Sequence, residues 1–172
     1  GVRIYLSGPM GGGKSTVGAR VAELLGTRVV DLDAEVERLA GRSIPQIFRE
    51  QGERSFRALE REALGKLPSD AGVVALGGGA VVDDEVRQRL LRQGIVVTLT
   101  APSEVLAARV GAGEGRPLLE QDAQRNLELI LKQRAHAYAE AHAVIDTGRL
   151  DPDEVAAEVV AVRNQNPILV PL

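Results

Sequence analysis

The 172-residue chain contains no cysteine, which excludes disulfides and thiolate metal sites and fits a reducing cytosol. It has no tryptophan and only two Phe and two Tyr, too few for the aromatic platforms that stack single-stranded nucleic acid. A formal charge of −3 without any basic run gives no footprint for a nucleic-acid partner. Apolar runs stop at four or five residues, well short of a bilayer span. A strand-like run begins directly after Gly1, so no leader peptide is expected, and the localisation read from these features is cytoplasmic. Lysine is scarce as well: of 21 basic residues only Lys14, Lys66 and Lys132 are lysines.

What is present is a regular alternation. Short β-branched runs, "VRIYL" (2–6), "RVVDL" (28–32), "GVVAL" (72–76), "IVVTL" (95–99) and "AVID" (143–146), read as strands. Between them lie helical patterns: Lys14 to a stop at Gly26, Ala34–Ala40 closed by Gly41, and a segment capped by Ser43. Further helices are expected from Asp83 to Gln93, Pro102 to Arg109, Asp122 to Ala141 and Asp151 to Val162. Continuous apolar strands alternating with helices imply one α/β domain with a parallel sheet covered on both faces.

The sharpest signal is "GPMGGGKST" (8–16). Gly8, four residues, Gly13, Lys14 and Ser15 satisfy the P-loop spacing, with a strand before and an amphipathic helix after. Glycines there let backbone N–H groups turn inward around phosphate oxygens, and the helix adds its positive N-terminal end. Lys14 is then expected at the β- and γ-phosphates and Ser15 on Mg²⁺. The chain's rare lysine stands where a compact point charge is needed.

Other strand ends must decide the reaction, because ligands sit at the carboxyl ends of a parallel sheet. Asp31 and Asp33 flank Leu32 at the second strand exit, where one carboxylate near a metal and another near an acceptor hydroxyl would suit phosphoryl transfer, or else they form a plain helix cap. Gly77, Gly78 and Gly79 follow the third strand and imply either close backbone approach to a ligand or a simple turn. Arg134 shares an apolar face with Leu127, Ile130 and Tyr138, and Arg57 lies beside Phe56 on another inward stripe. An inward arginine requires an anion: an internal glutamate, Glu53 or Glu60, or a substrate carboxylate. "GAGEGRPLL" (111–119) reads as a loop carrying Arg116, either a lid over nucleotide or a surface loop without duty. His136 and His142 stand alone, with no ligand spacing around them.

Taken in order, "GPMGGGKSTVG", "DLDAEVE", "GRSIPQIFREQGERSFRALE", "ALGGGAV", "GRPLL" and "RAHAYAEAHAVIDT" closely resemble the shikimate kinase family over residues 3–162. The resemblance implies ATP-dependent phosphorylation of the 3-hydroxyl of shikimate, on the way to chorismate and aromatic amino acids. It implies a three-layer P-loop kinase fold, like that of nucleoside-monophosphate kinases, with a lid and a five-stranded parallel sheet in the order 2-3-1-4-5. It places Gly11, Gly12, Gly13, Lys14, Ser15 and Thr16 on the ATP phosphates, and Mg²⁺ on Ser15 directly and on Asp31 through water. Asp33 is implied at the shikimate hydroxyls, Arg57 and Arg134 at its carboxylate, and Gly77, Gly78 and Gly79 near the ring with Glu60 in support. Arg116 closes from the lid, and Arg109 packs against adenine near "TGRLDP". The family more often carries Pro and Asp where His136 and His142 stand.

The expected partners are thus small molecules, with neither nucleic acid nor membrane, and a monomer if the chain is isolated. Residues 1–163 form the expected kinase domain. The apolar tail "NQNPILVPL" (164–172) is read as a linker or the start of a further domain, with dehydroquinate synthase as a candidate neighbour. Two rivals share the P-loop. Another small-molecule kinase, such as gluconate kinase, should lack the paired arginines and the glycine triplet; a regulatory nucleotide-binding domain would bind ATP without turnover.

Overall fold

The computed structural model describes residues 2–114 and 120–166. Five strands, β1 (Ile4–Ser7), β2 (Arg28–Asp31), β3 (Ala71–Ala75), β4 (Ile95–Thr100) and β5 (Ala143–Asp146), form one parallel sheet in the order β2-β3-β1-β4-β5. The central strand β1 pairs on both sides, Ile4 opposite Val73 of β3 and opposite Ile95 of β4.

Side-chain alternation along the strands builds two cores, because successive residues point to opposite faces. Ile4 and Leu6 face one side, with Val73, Val97, Leu99 and Ile145, and pack against α1 (Lys14–Leu25) and α7 (Pro152–Asn164) through Val17, Val21, Val155 and Val159. Tyr5, Val74 and Val96 face the other, where α2 (Leu32–Ala40), α3 (Ile44–Gly65), α4 (Asp84–Gln93) and α6 (Glu120–Ala139) contribute Val36, Ile47, Leu90 and Tyr138. The remaining helix, α5 (Ser103–Glu114), packs against α6. The doubly covered parallel sheet expected from the sequence, and its strand order, are as found.

Helix boundaries follow the capping chemistry read from the sequence. Asp83 accepts from the N–H groups of Glu85 and Val86, Ser43 from Gln46, and Asp151 forms a reciprocal box with Glu154. Three local expectations change. Helix α2 begins at Leu32, two residues early, because the Asp31 carboxylate caps it by accepting from Ala34 N–H. Asp33 therefore lies in a helical first turn and not on the strand exit. Helix α3 is interrupted at Gly52 (φ 83°, ψ 175°), which separates Phe48 from Phe56 by a break that a side-chain-bearing residue would resist. Helix α5 continues to Glu114, so residues 111–114 are helical and not loop. Arg116 and residues 167–172 of the tail lie outside the described residues.

His142 has a structural duty. Its Nδ1 accepts from Val96 N–H at 2.9 Å while its own N–H donates to Val96 O at 2.8 Å, so it extends the β4–β5 pairing by one residue. Burial lowers its pKa, which keeps the acceptor nitrogen free.

Leu6 is fully buried between sheet and helices, whereas Leu24 on α1 is 61% exposed. Leu6→Ala should cost about 2–5 kcal/mol of folding free energy. Leu24→Ala should stay within about 0.5 kcal/mol of the parent. Urea denaturation of the two variants checks both values.

Candidate active site

All five strands run the same way, so their exits converge on one edge, and the P-loop leaves the central strand where the order turns outward on both sides. The loop sits so tightly on β4 that a Cβ on Gly8 (φ 120°) would come within 2.1 Å of the Leu99 carbonyl oxygen. Only glycine fits there. Gly13 (φ 93°) then turns the chain into α1, presenting Lys14, Ser15 and Thr16 at the helix N-terminus.

A cleft of about 1160 Å³ opens over this edge. Lys14, Ser15, Asp31, Asp33, Arg57, Glu60, Gly77, Gly78, Gly79 and Arg134 all line it, so residues spread over 120 positions of sequence meet in one place. Ser15 Oγ lies 3.5 Å from Asp31 Oδ2. The Lys14 ammonium donates to Gly8 O at 2.6 Å. Burial lowers its pKa from 10.5 to about 8, against the opposing pull of Asp33 and Asp31, and with the nearby Arg134 charge pushing the same way as burial.

Asp33 lies against the glycine triplet: a Cβ on Gly77 would be 2.6 Å from its Oδ1 and 3.2 Å from Glu60 Oε2. A Cβ on Gly79 would overlap Arg57 Nη2 at 2.3 Å. The triplet is thus what lets the charged groups approach the backbone, rather than a plain turn. Burial raises the pKa of Asp33, with the Asp31 charge adding to it and Lys14 opposing. Glu60 is 4% exposed and likewise raised by burial, with Arg57 opposing. One of its oxygens accepts from Arg57 Nη1 at 3.0 Å, and the other, Oε2, is buried without a hydrogen-bond partner.

The two arginines differ. Arg57 is held by Glu60, stands 3.7 Å from Glu53 Oε1 and lies over the Phe56 ring. The internal partner considered from sequence is therefore real for Arg57. Arg134 has no carboxylate partner among the described residues; its guanidinium donates only to the Tyr138 hydroxyl, at 3.3 Å.

Arg109 is fastened to the P-loop. Its guanidinium donates to Gly11 O at 2.9 Å, to Thr147 Oγ1 at 3.0 Å and to Thr147 O at 3.0 Å. The buried Thr147 hydroxyl also reaches Gly12 O and Thr100 O, each at 3.2 Å. Thr147 and Tyr138 are site residues that the sequence reading did not single out. Thr147 directly follows a strand exit and Tyr138 stands one turn after Arg134, and those positions were the available signals.

The cleft is maintained at a cost, since burial desolvates the Lys14 ammonium by more than the neighbouring carboxylates offset. Lys14→Met should therefore raise the thermal midpoint of the ligand-free protein near pH 7. Between pH 8 and 10.5 the unfolded parent binds more protons at Lys14 than the folded parent does, so the parent gains stability as pH rises. Melts of both proteins at pH 7 and 9.5 should show the gap narrowing.

Comparison with known proteins places the chain among relatives. The sequence model of the shikimate kinase family matches residues 10–163. The chain is 45% identical over 160 residues to a shikimate kinase of Salinispora arenicola, covering 91% of this chain and 95% of that protein. It is 48% identical to a bifunctional shikimate kinase/3-dehydroquinate synthase of Thermotoga maritima, covering 92% of this chain and 32% of that one. The structure of shikimate kinase from Acinetobacter baumannii in complex with shikimate superposes with a TM-score of 0.84 at 39% identity, covering 96% of this chain and 94% of that one. With the P-loop, the facing acids and the arginine pair assembled at one sheet edge, the chain belongs to the shikimate kinase family.

Proposed function

We propose that the chain transfers the γ-phosphoryl group of ATP to the 3-hydroxyl of shikimate, giving ADP and shikimate 3-phosphate for chorismate and aromatic amino-acid synthesis. The observation that carries this reading is Arg134, a cation without a carboxylate partner among the described residues, in the same cleft as Lys14 and Asp33. A hydroxy acid with a carboxylate at one end supplies the missing anion there and offers its hydroxyl to Asp33.

In this reading the backbone of Gly11, Gly12 and Gly13, with Thr16, cradles the phosphates while Lys14 neutralises the β- and γ-groups. Arg57 and Arg134 grip the carboxylate, Glu60 holds Arg57 in place, and Gly77, Gly78 and Gly79 let the ring approach the backbone. Asp33 orients the 3-hydroxyl and accepts its proton. A bond forms from that oxygen to the γ-phosphorus as the bond to the β-phosphate oxygen breaks, and ADP leaves with the electron pair. Burial favours this role for Asp33, because a carboxylate raised from its ordinary range is a better base near neutral pH. Arg109, fixed by Gly11 and Thr147, presents a flat cation for adenine, and Arg116 is assigned the lid charge from its sequence motif.

Ser15 and Asp31 suit Mg²⁺: their oxygens are hard donors 3.5 Å apart beside the phosphate loop. Among the described residues no cluster of three or more His, Cys, Asp or Glu could hold a metal, but Mg²⁺ shared with phosphates needs only one or two protein ligands. Bound there, it would draw negative charge from the β- and γ-oxygens. Reliance on ATP suits a cytoplasmic location, and the isolated chain is proposed to be a monomer. Residues 164–172 are proposed to lead into a further domain, after the arrangement of the Thermotoga maritima relative. A coding sequence ending at Leu172 would overturn that part.

Coupled ADP release should respond to shikimate and not to gluconate or nucleoside monophosphates; turnover of gluconate instead would overturn the reading, and ATP binding without turnover would favour a regulatory domain. Asp33→Asn should lower kcat by about 10²–10⁴-fold. Arg134→Ala should raise the KM for shikimate about 30-fold or more, as expected for truncating one half of a desolvated charge pair. Because Lys14 loses its proton near pH 8 in the free protein, kcat/KM for ATP should fall above that pH. The kcat limb should lie higher, since bound phosphates hold the proton on Lys14.

A further inference from the structure

Tyr138 is buried at 6% exposure on the α6 face that carries Arg134, one helical turn further on. Its hydroxyl accepts from Arg134 Nη1 at 3.3 Å and donates to Gly78 O at 2.5 Å. One oxygen thus joins the guanidinium that lacks a carboxylate to the backbone of the glycine triplet, from an element 60 residues away in sequence. Burial raises the phenol pKa, against the pull of Arg134, so the group keeps its proton and remains a donor at neutral pH.

The backbone around Tyr138 is itself held. Tyr138 O accepts from the buried Thr98 hydroxyl at 2.7 Å, tying the end of α6 to β4. Arg87, 3% exposed, donates to Val81 O at 2.8 Å and to Glu140 Oε2 at 3.0 Å, and it also pairs with Asp84. Gln88 donates to the other Glu140 oxygen. Arg87 therefore fastens the segment after the triplet to the end of α6 beside the Tyr138–Gly78 contact, and Thr98 ties the same helix end to β4. An arginine side chain has several rotatable bonds, and fixing them when a ligand binds costs affinity. A hydroxyl that already fixes the guanidinium removes part of that cost.

We infer that Tyr138 is a positioning residue for the acceptor substrate: its hydroxyl, itself fixed by its bond to Gly78 O, aims Arg134 at the substrate carboxylate. The inference rests on the reading of Arg134 as the carboxylate ligand. Tyr138 touches neither phosphate site nor Asp33 in any contact described above, so its effect should fall on acceptor binding and not on the phosphoryl-transfer step.

The test is Tyr138→Phe, which removes one oxygen and keeps the ring. The KM for shikimate should rise about tenfold, as for loss of one hydrogen bond to a charged group. The variant's kcat should stay within about twofold, the KM for ATP should not change, and thermal melting should match the parent within a few degrees. In an Arg134→Ala background the same substitution should change the KM for shikimate by less than about twofold, because the hydroxyl then has no guanidinium to aim. An unchanged KM in Tyr138→Phe, with Arg134→Ala strongly impaired, overturns the inference and leaves the proposed function standing. So does an equal tenfold rise in both backgrounds, which would mark a general loosening of the site. A parent without shikimate turnover, or an Arg134→Ala variant with the parent's KM, would bring down the proposed function and this inference with it.

Discussion

Positive charge held in a partly dry cleft is the constraint around which this molecule is organised. Lys14, Arg57 and Arg134 line one cavity, and the lysine sits low enough in pKa that its charge is only moderately favoured. Left to relax, such groups would turn to solvent or to the nearest carboxylate. Each is restrained differently. Lys14 is folded onto the Gly8 carbonyl, Arg57 is matched to the buried Glu60, and Arg134 is tied through a neutral phenol to backbone. The last arrangement matters most, because a neutral tether fixes the cation without cancelling its charge.

The sheet explains why these restraints can exist together. Parallel strands deliver their following segments to a single edge, and the central strand places the P-loop between the exits of β3 and β4. Arg109 and Thr147 then bind P-loop carbonyls from the β4–β5 side, while Asp33 and Glu60 press on the glycine triplet from the β2 side. Carbonyls of Gly11 and Gly12 engaged by neighbours are carbonyls kept out of the space where N–H groups must meet phosphate oxygens.

Much of this was legible in the chain because the relevant signals are local. A strand, a fixed glycine spacing, Lys14 and Ser15 lie within a dozen residues, and the caps Asp83, Ser43 and Asp151 act on N–H groups two or three positions away. Local reasoning also misjudged in identifiable ways. Asp33 looked like a strand-exit residue until Asp31 capped a helix that starts at Leu32. Residues 111–114 looked like loop from their glycines, yet they finish α5. Arg57 and Arg134 read alike in periodicity; only the fold gave one a carboxylate and left the other without one among the described residues.

The sequence by itself determined the layered α/β architecture, the phosphate loop and the family, because period-two and period-3.6 patterning and a contiguous motif need no partner from elsewhere in the chain. Tertiary structure alone decided how the charges are apportioned: which acid meets Arg57, what steadies Arg134, and why Arg109 and Thr147 grip the P-loop. Those are contacts between residues tens of positions apart, and their energies depend on distance and burial, quantities that come into being only when the strands share one edge.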